Sequence, residues 1–219
     1  MDFRKFYDKT AGHYDRRHDS PASLRLRKKE KRLIGRFATG MVLDVGCGTG
    51  YHMDHLGLEI KGIDISDEML TIARKSGFDV RKASAEHLPF KDNSFNSIFC
   101  FFAVFNMVNS IQAVKEMARV LKPGGRVLLS LSSYHDKKSF RISKQRVDLK
   151  RLFSKDDLVK LFNRNGFRLE HFDSIFRSGR PRWGDFSRLS LFECANLWLD
   201  SFRDQENGVV YLAAFMKLA

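Results

Sequence analysis

A chain of 219 residues is long enough for one well-buried domain and too short for two large ones. With 43% hydrophobic and 30% charged residues it has globular composition, which excludes a disordered, collagen-like or low-complexity chain. The formal charge of +13 is uneven: residues 1–40 carry +7, 41–135 carry 0, 136–182 carry +8 and 183–219 carry −2, so a neutral middle lies between two basic flanks.

The N-terminus MDFRKFYDKT lacks the apolar core of a secretory signal, and no apolar run reaches the ~20 residues of a membrane-spanning helix. A cytoplasmic protein without a transmembrane segment is expected. Cys47, Cys100 and Cys194 are widely separated, with no Cys-x-x-Cys pair, so reduced thiols and no metal site are expected.

In chain order, SLRLRKKEKRLIGRF (23–37) reads as a basic helix with Leu24, Leu33, Ile34 and Phe37 available for packing. From Met41 the pattern alternates short apolar runs with amphipathic stretches, as in strand-helix-strand units of a mostly parallel sheet. MVLDV (41–45), EIKGID (59–64), FDVRKA (78–83), SIFCFF (97–102) and RVLLSLS (126–132) are the expected strands. SDEMLTIARKSG is a helix with a Ser cap and a closing Gly77. SIQAVKEMARVLKPGG is a second, with Ile111, Val114, Met117, Ala118 and Leu121 on one stripe. SKDDLVKLFNRNGF is a third, closed by Gly166, and RLEHFDSIF and VVYLAAFMKL add two strands to make seven.

The expected organisation is one domain over 1–219: a basic helical cap (1–40), a ligand-binding core (41–133) and a substrate-side part (134–219) with an insertion at about 177–206. In that insertion Phe186, Leu189, Phe192, Ala195 and Leu199 recur at helical spacing within Trp183–Phe202, which fits a helix packed on the domain or a lid over an apolar pocket.

Asp44-Val45-Gly46-Cys47-Gly48-Thr49-Gly50 falls where a strand ends and a helix should begin, so its glycines allow a tight turn and close approach to a ligand. Asp64 closes the next strand, 18 residues beyond Gly46, where a carboxylate can accept hydrogen bonds from ribose hydroxyls or simply cap a helix. The spacing is G-x-G-x-G, with Tyr51 in place of the last glycine of the dinucleotide pattern G-x-G-x-x-G. An NAD-type oxidoreductase, or a cofactor-binding protein without catalysis, is therefore disfavoured by spacing but stays open.

The ordered set VLDVGCGTGYH, GIDIS, SAEHLPFKDNSF and RVLKPGGRVLL resembles the class I S-adenosylmethionine-dependent methyltransferases, and within them the type 11 group that includes ubiquinone and menaquinone biosynthesis enzymes. The resemblance is strong over about 41–133 and weaker over 152–176. It implies a Rossmann-like α/β fold with a seven-stranded, mostly parallel sheet and helices on both faces. It implies S-adenosyl-L-methionine as cofactor and S-adenosyl-L-homocysteine as product. Residue by residue, it implies that Gly46, Gly48 and Gly50 wrap the amino-acid half with Asp44 fixing the loop, and that Asp64 binds the ribose. Ile65 and Met69 would cover an adenine face, with Ser84, Ala85 and Glu86 near its edge; Cys47 is read as a small loop residue. FYDKTAGHYD resembles a segment that folds over the cofactor in relatives, with Tyr7 and Tyr14 as its aromatics. Ser84, Asn96 and Asn106 depart from the family pattern, and Asn106 stands where a histidine is frequent.

No catalytic residue is assigned. His13 and His135 are candidates for a base, and surface placement is the plainer reading of each. The acceptor is expected to be a small molecule or lipid-like compound. RNA is the alternative partner, with Arg27, Lys28, Lys29 and Lys31 offering charge and Phe140, Phe153 or Trp183 offering stacking faces. Such a charge run is otherwise a solvated face. The oligomeric state is left open.

Overall fold

The computed structural model describes residues 3–17, 21–54, 57–101, 104–132, 152–175 and 210–218. Its frame is a seven-stranded sheet: β1 (Met41–Val45), β2 (Glu59–Asp64), β3 (Asp79–Lys82), β4 (Phe95–Cys100), β5 (Leu121–Ser132), β6 (Phe167–Ile175) and β7 (Val210–Lys217). The strand order is 3-2-1-4-5-7-6; the first five strands run parallel, and β7 is antiparallel to both β5 and β6.

The helices are α1 (Phe3–Thr10), α2 (Tyr14–Arg17), α3 (Pro21–Phe37), α4 (Asp67–Lys75), α5 (Val104–Met107), α6 (Ser110–Val120) and α7 (Lys155–Asn163). Among the described residues no helix is long and apolar enough to cross a membrane. Strand alternation divides the core. Val42, Phe99, Leu128 and Ala214 face Leu33 and Ile34 of α3. Leu43, Ile98, Val127, Leu129 and Phe215 face the other way, into a larger cluster with Val114 and Met117 of α6 and Leu158 and Phe162 of α7.

The strands and capped helices lie where the sequence predicts them, with local corrections. The Ser66 hydroxyl accepts from the Met69 N–H and caps α4, and the Ser154 hydroxyl caps α7 from Asp157. Helix α6 begins one residue after its cap, Asn109, and ends at Val120 because Leu121 is already extended (ψ 136°). Lys122-Pro123-Gly124-Gly125 therefore belongs to the entry of β5, and Ile111 is 48% exposed while Ala113 and Val120 join the buried stripe. Leu24 is likewise exposed rather than packed, its place in the α3 core taken by Leu26.

Helix α3 is less uniform than its basic sequence suggests. Glu30, its one acid, is completely buried, accepts a hydrogen bond from the Ser130 hydroxyl of β5, and lies 3.0 Å from His52 Nε2. Arg27 is buried too, with its guanidinium 3.6 Å from the Tyr51 ring centroid. These contacts clamp α3 onto the turn that follows the glycines. Replacing Glu30 by Ala would leave His52 and Ser130 facing an apolar gap, so Glu30→Ala is expected to cost about 3 kcal/mol and lower the melting temperature by roughly 10 °C. Thermal denaturation followed by circular dichroism checks this, and a change within a degree or two would show that the buried pair adds nothing.

Candidate active site

The C-terminal ends of β1 and β2 meet beneath a cleft enclosing about 700 Å³, its open mouth included. Its floor is Val45, Gly46, Gly48, Ile63 and Asp64; Ile65, Met69, Ala83 and Ala85 form one wall, and Val104, Met107 and Val108 the other. Tyr7 and Tyr14 close it from above. In an open α/β sheet, ligands bind at this edge.

Two of the three glycines serve different needs. Gly48 (φ +54°) has open space where a side chain would project, so the loop keeps a bare backbone face towards the cleft. A Cβ at Gly50 (φ +93°) would run into the Phe78 ring at 2.4 Å, so that glycine serves packing and lies away from the cleft lining. Asp64 orders the loop directly. Its Oδ2 accepts from the Gly48 N–H at 2.9 Å and its Oδ1 from the Ser66 N–H at 2.9 Å, leaving acceptor capacity on the cleft side. Burial raises its pKa, while the hydrogen bonds from Ser66 and Gly48 work in the opposite direction.

Asp44 is buried below the loop, and its Oδ2 has no hydrogen-bond partner among the described residues. Burial pushes its carboxyl up to about 7; nearby Asp64 and Glu30 add to the rise and His52 opposes it. An acceptor oxygen left without a partner is unusual for a folded protein, and this one lies beneath the loop, behind the residues that line the cleft. Cys47 is buried and its thiol pKa is raised by burial, with Asp44 and Asp64 adding to it, which leaves it a packing residue rather than a nucleophile.

The N-terminal segment is hooked over the cleft by two acids that the sequence reading did not single out. Asp8 accepts from the Ser66 hydroxyl at 2.6 Å, and Asp15 accepts from the Thr49 hydroxyl at 3.0 Å and lies 3.6 Å from Arg27. Tyr7 donates to Met107 Sδ at 3.6 Å, and its ring meets Tyr14 edge-on at 6.0 Å. Burial raises the pKa of both phenols far above the usual value, so they stand in the cleft as neutral hydroxyls.

Of the expected adenine neighbours, Ile65, Met69 and Ala85 line the cleft. Ser84 and Glu86 stand beside it with their side chains engaged: Ser84 Oγ accepts from the Glu86 N–H, and Glu86 Oε1 accepts from the Asn109 N–H at 2.8 Å. Among the described residues no histidine lines the cleft. His13 is exposed, and His135 lies outside the described residues. Asn106 is fully buried, exchanging two hydrogen bonds with the Ser132 backbone, so it pins α5 to β5 instead of facing a ligand. Asn96 Oδ1 accepts from Met41 N–H and from Lys122, also a framework role.

The apolar wall after β4, formed by Val104, Met107 and Val108, carries no motif that marks it in the sequence. Of the RNA candidates, Phe153 is fully buried and cannot stack a base, and Arg27 is sequestered against Tyr51 and Asp15. Lys29 is ion-paired with Asp173. Phe140, Trp183 and the expected helix from Trp183 to Phe202 lie outside the described residues.

A mixed sheet of this order, parallel but for the antiparallel β7, with its glycine turn after β1 and an acid at the end of β2, has the class I methyltransferase architecture. A SAM-dependent methyltransferase from Thermotoga maritima superposes with a TM-score of 0.72 at 24% identity, covering 98% of this chain and 99% of that one. Residues 43–129 match the model of the methyltransferase domain family, type 11. That match places the glycine turn with methyltransferases rather than with dinucleotide oxidoreductases.

A Methanocaldococcus jannaschii protein described as uncharacterized is 36% identical over 139 residues, 62% of this chain and 54% of its own. The ubiquinone/menaquinone biosynthesis C-methyltransferase of Geotalea daltonii is 38% identical over 104 residues, 41% of this chain and 44% of its own. The chain thus spans about half the length of these curated relatives.

Proposed function

We propose that the chain transfers a methyl group from S-adenosyl-L-methionine to a small-molecule or lipid-like acceptor, leaving S-adenosyl-L-homocysteine. One observation carries the reading: the bare backbone face of Gly48 and the Asp64 carboxylate open on the same cleft, with the orphaned Asp44 oxygen below. When bound, the cofactor supplies an electrophilic methyl on a positively charged sulfur.

The residues suit that group. The remaining acceptor sites of Asp64 can take ribose hydroxyls, and Ile65 and Met69 offer apolar cover for a planar base; the negative charge of Asp44, buried beneath the loop, would attract an ammonium group above it. Tyr7, Tyr14, Val104 and Met107 exclude water, which favours a displacement in which charge disappears. Methyl transfer of this kind asks chiefly for alignment. The apolar α5 wall supports an apolar acceptor, as does the likeness to a relative named for ubiquinone and menaquinone biosynthesis.

The test is incubation with methyl-labelled S-adenosyl-L-methionine and a host extract, separated into RNA, protein, lipid and small-molecule pools. Label is expected in the lipid or small-molecule pool. Nuclease-sensitive label would overturn the acceptor, and no binding of the cofactor by calorimetry would overturn the reading as a whole.

A further inference from the structure

Helix α3 lays its apolar side on the sheet through Leu33 and Ile34, with Leu26 buried on the same side, and turns the opposite side outward. At 100° per residue, Arg25, Lys28, Arg32 and Arg36 fall on one stripe of that outer side, with about 5.4 Å per helical turn. Lys28, Arg32 and Arg36 are exposed and Arg25 is half-exposed. The helix's one acid, Glu30, points inward, and among the described residues no carboxylate lies within ion-pairing distance of these four cations. Leu24, 49% exposed, lies beside Lys28 on the same side.

A face of one sign this long attracts a polyanion. A single-stranded nucleic acid would use exposed rings for stacking, and among the described residues no aromatic side chain is among the exposed large hydrophobic ones. Phe37, at the end of the helix, is covered by the Arg36 guanidinium and tilted against His171. A helix surface bearing four cations, of which Arg32 and Arg36 border a recess shared with His171 and Asp173, and one exposed aliphatic side chain instead matches the chemistry of anionic headgroups above an acyl layer. The end of α3 that carries Arg25 and Lys28 is also the end that Arg27 and Glu30 fasten to the turn beside the cleft.

We propose that the outer face of α3 docks the protein on an anionic lipid bilayer through Arg25, Lys28, Arg32 and Arg36. The surface stands on its own geometry; its purpose, bringing the cleft to an acceptor dissolved in the bilayer, rests on the lipid-like acceptor proposed above.

The experiment is co-sedimentation of the full chain with phosphatidylcholine vesicles made with and without phosphatidylglycerol, with no methyl donor present. Retention is expected only with phosphatidylglycerol and is expected to fall as salt is raised. The variant carrying Arg25→Gln, Lys28→Gln, Arg32→Gln and Arg36→Gln is expected to bind those vesicles on the order of a thousandfold more weakly. Its binding of S-adenosyl-L-methionine by calorimetry is expected to be unchanged, since none of the four lines the cleft. Should the quadruple variant misfold, Lys28→Gln with Arg32→Gln provides the milder comparison.

Equal retention by neutral vesicles, or unchanged retention of the variant, would overturn the proposal. Stripe-dependent binding to a transfer RNA pool in preference to the vesicles would overturn it in favour of nucleic acid. Loss of cofactor binding by the wild-type chain with vesicle binding intact would strike the methyltransferase reading and leave the docking surface standing.

Discussion

Asp64→Ala is expected to abolish measurable binding of S-adenosyl-L-methionine while the protein stays folded. The carboxylate does two jobs at once. It accepts the Gly48 and Ser66 N–H groups and so holds the glycine loop in place, and its remaining acceptor sites face the cleft. Hydrogen bonds to an ionised group contribute about 1.5–3 kcal/mol each, so losing two to the ribose weakens binding by roughly a hundredfold to ten-thousandfold. Release of the Gly48 N–H adds to the loss by loosening the cradle.

Folding is expected to survive because β2 keeps its pairing with β1 and β3, and α4 keeps its own cap in Ser66. Asp64→Asn retains one carbonyl acceptor and should fall between the two. Because burial raises the carboxyl pKa, wild-type affinity should begin to drop on acidification before an exposed aspartate would lose its charge. Calorimetric titration gives the answer: wild-type affinity in Asp64→Ala would remove the ribose assignment.

The positions legible in the sequence are those where a local pattern has one structural outcome. The strand ends at Val45 and Asp64, the Ser66 cap and the glycine loop depend on neighbours a few residues away, and each lies where the pattern places it. Ile65, Met69 and Ala85, which the resemblance and not a local pattern singles out, line the cleft wall.

What the sequence hides is set by partners far along the chain. Glu30 and Arg27 look like ordinary members of a basic run, and only contact with Ser130, His52 and Tyr51 makes them buried framework. Asp8 and Asp15 look like solvated acids until α1 and α2 fold over the cleft, where they meet Ser66 and Thr49. Gly50 shows the opposite limit: at a glycine that the resemblance assigns to the ligand, a side chain would run into the Phe78 ring. Spacing records that a side chain is forbidden, and the folded chain shows what forbids it.

Asp44→Asn is expected to make the protein more stable at pH 8 and a poorer binder of the cofactor. Burial lifts the Asp44 carboxyl to about 7 from an ordinary value near 4, so at pH 8 the folded protein holds a buried carboxylate with one oxygen unpartnered. A folded-state pKa above the unfolded one means that the folded protein binds more protons between about pH 4 and 7, so stability is greatest below that window and declines as pH rises through it. A shift of about three units corresponds to at most about 4 kcal/mol, on the order of 10 °C in melting temperature for a chain of this size. The neutral amide removes the ionisation and with it this pH dependence. Scanning calorimetry at pH 5 and pH 8 should therefore show the variant gaining over wild type at pH 8 and gaining less than half as much at pH 5. Removing the negative charge also removes the attraction for an ammonium group in the cleft, so affinity for S-adenosyl-L-methionine should fall as stability rises. Equal melting temperatures at pH 8 would mean that the carboxylate is compensated within the folded chain, and unchanged affinity would mean that its orphaned oxygen does not serve the ligand.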